Sequence, residues 1–139
     1  MTGPQSPALA PATAAAPAAA PAAAPAADPD CIFCKIVAGK IPAKKVFEDD
    51  QLLAFHDIHP WAPVHVLIIP KLHLATLSDT GPQHQALLGR MLGLAPQLMA
   101  ELGVSNGFRT LINTGPDGRQ EVYHLHMHVM GGPRPWVKG

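Results

Sequence analysis

From Tyr123 to Gly132 the chain reads Tyr-His-Leu-His-Met-His-Val-Met-Gly-Gly, an alternation of imidazole and aliphatic side chains. Side chains alternate across a β-strand, so an extended backbone puts His124, His126 and His128 on one face and Leu125, Met127 and Val129 in the core. On a helix the imidazoles would diverge and the aliphatic residues would form no face. The pattern therefore predicts a strand from Val122 to Met130, with neighbouring imidazoles about 6.6 Å apart by backbone rise. Imidazole is a poor core group and close cations repel, so three in line have little structural use. Chance histidines on an exposed face would not explain the matching apolar alternation. Two chemical uses stay open. Alternate histidines on a strand can ligate zinc, or a row of neutral imidazoles can attack and hold a phosphate.

The rest of the chain supplies partners for such a strand. Cys31 to Ala38 has apolar residues at helical spacing and stops at Gly39, which predicts a short helix. Val46–Glu48 and Leu52–Asp57 flank Asp49-Asp50-Gln51 as a hairpin, and Val64–Ile69 is a buried strand stopped by Pro70. Between Gln83 and Leu102 the apolar residues follow the helical period, with Pro96 inside the pattern. An interior proline removes one ladder bond, so a kink or two helices are expected there. The Met and Leu stripe of this helix is core. Phe108–Asn113 is a further strand, and Gly115-Pro116-Asp117-Gly118 has the chemistry of a turn.

Composition matters mainly at the N-terminus. Of the first 30 residues 14 are Ala and 7 are Pro, which separates a leader (1–30) from a domain (31–139). Proline every few residues prevents the alanines from propagating a helix, so the leader is expected to be disordered and polyproline-like. It lacks the positive start and apolar stretch of a secretion signal and the arginines of a transit peptide, and no P-x-x-P flanked by Arg marks it as a docking segment. Asp28 and Asp30 are its only charged residues, leaving 8 acidic and 10 basic residues in the domain. That near balance argues against nucleic-acid or membrane binding, and no apolar run approaches the roughly 18 residues of a membrane span. Two cysteines three apart, without a secretion signal, point to a reducing cytoplasm. No Gly-rich P-loop is present.

The segment His124 to Gly132 resembles the signature of the histidine triad superfamily, and its Gly-Gly resembles the Hint branch, the nucleoside phosphoramidases. Ile41-Pro42-Ala43-Lys44, Phe47-Glu48-Asp49-Asp50, Leu53 to Ile58, Ala62-Pro63-Val64-His65, Ile69-Pro70-Lys71 and Gln120-Glu121-Val122-Tyr123 are similar to Hint segments in the same order. The likeness covers Cys31 to Gly132; it excludes the leader and weakens from Pro133 to Gly139. It implies an α+β fold: a five-stranded antiparallel sheet with a long helix and a short N-terminal helix, two copies pairing into one continuous sheet as a homodimer.

The resemblance also implies roles. His126 would be the nucleophile toward the α-phosphorus, forming a nucleotidyl-histidine that water hydrolyses, with no metal required. Its Nδ1 would donate to the carbonyl of the first triad residue. His128 and His65 would donate to the non-bridging oxygens, and His124 would orient the set. Asp57 would accept from the ribose hydroxyls, or cap a turn before Pro60. Ile58, Phe55, Phe33, Ile32 and Ile36 would line the base slot, unless they are plain core. Asn113 would donate on the phosphate side, and Gln120, Glu121 and Val122 would lie along the nucleotide. Glu121 stands where some Hint members have a serine near the leaving nitrogen; it could pair with a cationic amine or be a solvated rim charge. Arg119, with the turn before it, would close over the phosphate or remain a solvated loop. Some triad proteins bind zinc through a Cys pair and two histidines, placed here as Cys31, Cys34, His73 and His124; buried thiols are the alternative. His56, His59 and His84 read as surface or interface residues. Trp136 is a candidate lid in a tail that, in the family, reaches the partner's site. The function so implied is hydrolysis of purine nucleoside phosphoramidates. The alternatives are a dinucleoside polyphosphate hydrolase or nucleotidyl transferase, or a nucleotide- or zinc-binding regulatory module.

Overall fold

Asp49 turns the first hairpin: its Oδ1 accepts the N–H groups of Gln51 and Leu52, both at 2.8 Å. This Asx-type turn joins β1 (Lys45–Glu48) to β2 (Leu52–His56). In the computed structural model, which describes residues 27–138, three more strands follow: β3 (Val64–Pro70), β4 (Phe108–Leu111) and β5 (Met127–Gly131). They form one antiparallel sheet in the order β1-β2-β3-β5-β4. The expectation for the leader lies outside the described residues except at its last four. There the Asp28 carbonyl accepts the Cys31 N–H at 3.0 Å and starts the helix α1 (Ile32–Val37).

The central strands are covered on both faces. Leu52, Ala54, Val66, Ile68, Met127 and Val129 point to the helix α2 (Gln85–Glu101), whose Met91, Leu94, Ala95, Leu98 and Met99 close the main core. Leu53, Phe55, Leu67 and Ile69 point the other way, against Phe33 and Ile36 of α1. His65 and His128 lie on this second face by strand alternation. Full burial of each such aliphatic side chain stabilises the fold by about 1.5–3 kcal/mol. The Gly131-Gly132 pair is required by space and by backbone angle. A Cβ on Gly131 would lie 2.6 Å from Val104 Cγ1, and Gly132 has φ +111°.

Two predicted strand boundaries move by two residues or more. The last strand begins at Met127, not Val122, because Pro70 on its neighbour has no N–H to offer and gives its carbonyl to His124 Nε2 at 2.7 Å. Residues 121–126 run beside the sheet instead, with the Leu125 N–H on the Leu74 carbonyl at 2.6 Å. Strand β4 likewise stops at Leu111, before Asn113. Among the described residues no helix is long and apolar enough to cross a membrane.

Helix α2 is a single helix that carries Pro96 within it, so of the two expected outcomes, a kink or two helices, the second does not occur. Pro96 is exposed, on the face away from the sheet, as is Leu92, whose carbonyl loses its partner to the proline. A carbonyl on an exposed helix face is open to solvent bonding, which is consistent with the helix running on through Pro96. Replacing Pro96 by Ala should restore the bond and remove the ring clash. An interior proline costs about 3 kcal/mol, offset by about 1 kcal/mol of lost unfolded-chain restriction. Urea denaturation of Pro96→Ala is expected to show a gain of about 1–2 kcal/mol; an unchanged or lower midpoint contradicts this account.

Candidate active site

The face of the sheet under α1 opens into a cavity of about 730 Å³. One end is apolar, lined by Ile32, Phe33, Ile36, Ile41, Phe55 and Leu67, while the other presents Asn113, Asp117, Glu121, His126, His128 and Lys138. Helix α1 brings the apolar side chains, β5 brings His128, and the segment leading into β5 brings His126. The rings of His126 and His128 are 5.0 Å apart between centroids, closer than the backbone rise alone predicts because they tilt at 65° to one another. Phe33 packs edge-on to His126 at 5.2 Å.

The hydrogen bonds assign the protons. A carbonyl only accepts, so the 2.7 Å contact between His126 Nδ1 and the His124 carbonyl places the hydrogen on Nδ1. Neutral His126 therefore keeps its lone pair on Nε2. The Trp61 backbone N–H donates to His65 Nδ1 at 2.9 Å, so the His65 hydrogen is on Nε2. That nitrogen lies 2.9 Å from His128 Nδ1, which accepts and leaves the His128 hydrogen on Nε2. A nucleophilic lone pair and a hydrogen-bond donor thus stand side by side. Burial lowers the pKa of His65 and His126 and lowers that of His128 to about 4, which keeps all three neutral. At His126 the His124 carbonyl and the charges of Asp57 and Glu121 oppose burial in part.

His65 differs from its expected role. It is only 2% exposed and is not among the residues lining the cavity, so the contact expected of it is not open at the cavity surface. It sits on β3 beneath Trp61 and reaches the site through His128. Asp57 caps the turn, its Oδ1 accepting the His59 N–H at 2.8 Å, while its Oδ2 lies 3.5 Å from His65 Nε2 and the residue lines the cavity. Phe55, Phe33 and Ile36 are buried and line the apolar end together with Ile32, Val122 and the exposed rim residue Ile58. Asn113, Arg119 and Glu121 line the polar end. Gln120 does not reach the cavity. Its amide receives the Gly115 N–H and donates to the carbonyls of Ala75 and Val122, which pins the loop. His56 and His59 sit on the cavity rim, and His84 caps a turn by accepting the Gly81 N–H.

Two residues at the site carried no sequence signal. Trp61 stacks on His128 at 15° between planes, and Lys138 lies 5.2 Å above the Trp61 ring. The tail is tied there by the Val137 N–H on the Trp61 carbonyl at 2.7 Å. Trp136 is elsewhere: it lines a separate cavity with Val104 and Arg109, and its indole N–H bonds the Gly132 carbonyl. As a lid for this chain's own site it is misplaced.

Behind the site, Cys31, Cys34, His73 and His124 converge. Their donor atoms lie 3.3 Å (Cys31 Sγ to His124 Nδ1), 3.2 Å (Cys34 Sγ to His73 Nδ1), 3.6 Å (Cys34 Sγ to His124 Nδ1) and 3.2 Å (His73 Nδ1 to His124 Nδ1) apart. Zinc bound tetrahedrally at about 2.3 Å from sulfur and about 2.05 Å from nitrogen holds its ligands roughly 3.3–3.8 Å apart. His124 donates through Nε2 to Pro70, so its Nδ1 has the free lone pair a ligand needs. The four residues fit the ion. Burial pushes the Cys34 thiol up to about 11, so loading the site displaces protons. Asp57, His65 and His128 also cluster closely, but His65 Nε2 is already protonated and donating, which makes that group a hydrogen-bond relay.

The buried imidazoles set an acid limit on stability. In the unfolded chain a histidine titrates near 6.5, whereas folded His128 does so at about 4. Between these values the unfolded state binds more protons, so stability is complete above about pH 6.5 and declines as pH falls toward about 4. Urea denaturation in chelator from pH 7 to pH 4 should show this decline, and His128→Gln should flatten it. An equal slope in both proteins contradicts the assignment.

A profile of the HIT domain family matches residues 38–134. The chain is 48% identical over 107 residues to adenylylsulfatase HINT1 of Arabidopsis thaliana, covering 76% of this chain and 73% of that protein. It is 43% identical over 104 residues to the purine nucleoside phosphoramidase of Escherichia coli, covering 74% and 87%. The crystal structure of a HIT family hydrolase from Legionella pneumophila superposes with a TM-score of 0.73 at 48% identity, covering 76% of this chain and 95% of that one. With the ordered histidines, the sheet and these likenesses in agreement, the chain belongs to the histidine triad (HIT) family, in its Hint-type branch.

Proposed function

We propose that this chain is a hydrolase that cleaves the P–N bond of purine nucleoside 5'-phosphoramidates, such as adenylated amines, and releases AMP or GMP. The observation that carries the reading is the fixed tautomer of His126, with Nδ1–H held by the His124 carbonyl and the Nε2 lone pair beside the cavity. The purine enters the apolar end between Phe33, Ile36 and Phe55, and the ribose hydroxyls meet the Asp57 carboxylate. His126 Nε2 attacks the α-phosphorus and the P–N bond breaks. Over the whole cycle the leaving nitrogen takes a proton from water and the phosphorus takes the hydroxide. His128 Nε2–H donates to a non-bridging oxygen where charge grows. Relaying through His65 fixes that donor in advance, so no reorientation is needed during reaction.

Zinc, held by Cys31, Cys34, His73 and His124, is proposed as a structural ion that supplies cross-linking and no chemistry at the phosphorus. A homodimer in the cytoplasm completes the reading: β4 is an edge strand with Phe108, Arg109 and Thr110 exposed, and Leu92 is exposed on α2. A second leaving group is supported by the cations Arg119 and Lys138 at the polar end. An anion such as sulfate, as the name of the Arabidopsis relative indicates, would leave by the same attack of His126.

Turnover of an adenosine phosphoramidate bearing a fluorogenic amine tests the proposal, with and without chelator. His126→Ala should lower kcat by about 10³-fold or more while AMP affinity stays near that of the wild type. His128→Ala removes one oxyanion donor and should lower kcat by about 10²–10³-fold. A wild type that turns over neither this substrate nor adenylylsulfate, or that loses all turnover on brief chelation while still folded and binding AMP, sinks the metal-free mechanism.

A further inference from the structure

We propose that Cys31, Cys34 and His73 are positioning residues for His126, acting through His124 and Phe33, so that occupancy of the Cys2His2 cluster sets the alignment of the nucleophile. This deepens the reading of His126 as nucleophile and rests on it.

Two physical routes join the cluster to that one ring. The first is the backbone. His124 is held at both ring nitrogens, by the Pro70 carbonyl at Nε2 and by the cluster at Nδ1, and its own carbonyl receives His126 Nδ1–H at 2.7 Å. The ring contacts therefore anchor, through the side chain, the residue whose backbone carbonyl defines the His126 tautomer. The second route is α1. A helix of 6 residues is too short to be stable alone and depends on tertiary ties. Its ties are the packing of Phe33 and Ile36 on the sheet and the two cysteines: Cys31 Sγ, which also caps the helix by accepting the Cys34 N–H at 3.2 Å, lies 3.3 Å from His124 Nδ1, and Cys34 Sγ lies 3.2 Å from His73 Nδ1. Phe33 lies between the two cysteines in sequence. Its ring stands edge-on to both His126 and His124, at 5.2 and 5.9 Å. Freeing the cysteines thus loosens the wall against which His126 packs. Neither route passes through Asp57, and Ile41, Phe55 and Leu67 of the base slot lie outside α1, so the nucleotide shares only the α1 wall, Phe33 and Ile36 above all, with the cluster.

That separation defines the test. Zinc per chain is measured by mass spectrometry on the full chain as purified, on wild type after chelation, and on His73→Asn, which leaves both cysteines and His124 in place. Three readouts follow: the far-UV sheet spectrum with AMP affinity, the kinetic constants, and the NMR signal of His126 Nδ1–H. Zinc-free protein is expected to keep its sheet spectrum and to lose kcat by about 10–100-fold, while AMP affinity, which shares only the α1 wall with the cluster, falls by a smaller factor. The Nδ1–H signal should broaden. Zinc should restore both in chelated wild type and not in His73→Asn. The double variant Cys31→Ser, Cys34→Ser, which keeps hydrogen-bonding groups but loses thiolates, should behave as His73→Asn. An unchanged kcat and Nδ1–H signal in zinc-free protein overturns the proposal. So does loss of AMP affinity and sheet spectrum together with kcat, which would make the cluster a support of the whole fold, and so does a wild type that takes up no zinc. If no substrate is turned over at all, the reading of His126 as nucleophile fails separately, while zinc uptake and the NMR signal still decide the positioning.

Discussion

The hydrogen bond from His126 Nδ1 to the His124 carbonyl decides which nitrogen of His126 is free, and the rest of the site is arranged around it. Imidazole has two nitrogens and only one serves as a nucleophile in the neutral ring. A strand ladder would have used the His124 carbonyl for its own pairing. It is available here because β5 has not yet begun: Pro70 lacks the N–H that would extend the ladder, and its carbonyl binds the side chain of His124. The missing donor of one proline, set by the register opposite Leu125, thus stops the ladder before His124 and leaves that carbonyl outside the strand, where it meets His126 Nδ1.

Low dielectric serves the same end. Burial holds His65, His126 and His128 neutral, His128 down to about 4, so close imidazoles do not repel as cations would. The neighbouring rings are then limited to donor and acceptor roles, and the Trp61 N–H starts a chain that can run in only one direction, through His65 to His128. A relay fixed by a backbone amide is rigid because the amide cannot turn around. Such fixed donors stabilise developing charge without reorganisation, which is the main way proteins lower a barrier at phosphorus.

Much of this was legible in the alternation of His124 to Val129. It assigned the two faces correctly, since Leu125, Met127 and Val129 are in the main core while His126 and His128 face the cavity. The five strands and both helices were legible too, because each has its own apolar period. What failed were quantities decided by another part of the chain. The start of β5 depended on Pro70, and the withdrawal of His65 from the cavity depended on Trp61 covering it. Gln120 read as a site residue by its place in a segment, but its amide is consumed by three backbone groups. Trp61 itself was invisible because a single aromatic in a loop has no period to betray it. Helix α2 shows the same limit in reverse: the lost bond at Pro96 is one part of its cost, and how much that part matters depends on the face it occupies, here the exposed one.

One residue type does two separate jobs in this fold, and the tautomers keep them apart. His124 protonates Nε2 to satisfy Pro70, leaving Nδ1 as a lone pair among two thiols and His73. His65 protonates the same atom but spends it on His128, so the carboxylate and imidazoles around it cannot offer three lone pairs to an ion without breaking the Trp61 bond. Sulfur supplies the remaining discrimination, because soft thiolates favour zinc over the hard cations that phosphates carry. Both groups lie on the α1 face of the sheet and draw on the same short run of histidines, the sulfur-bearing one with the donor set that suits a transition metal and the cavity with a hydrogen-bond donor at His128. His124 is the point at which the two meet, with its ring on the metal side and its carbonyl on the other.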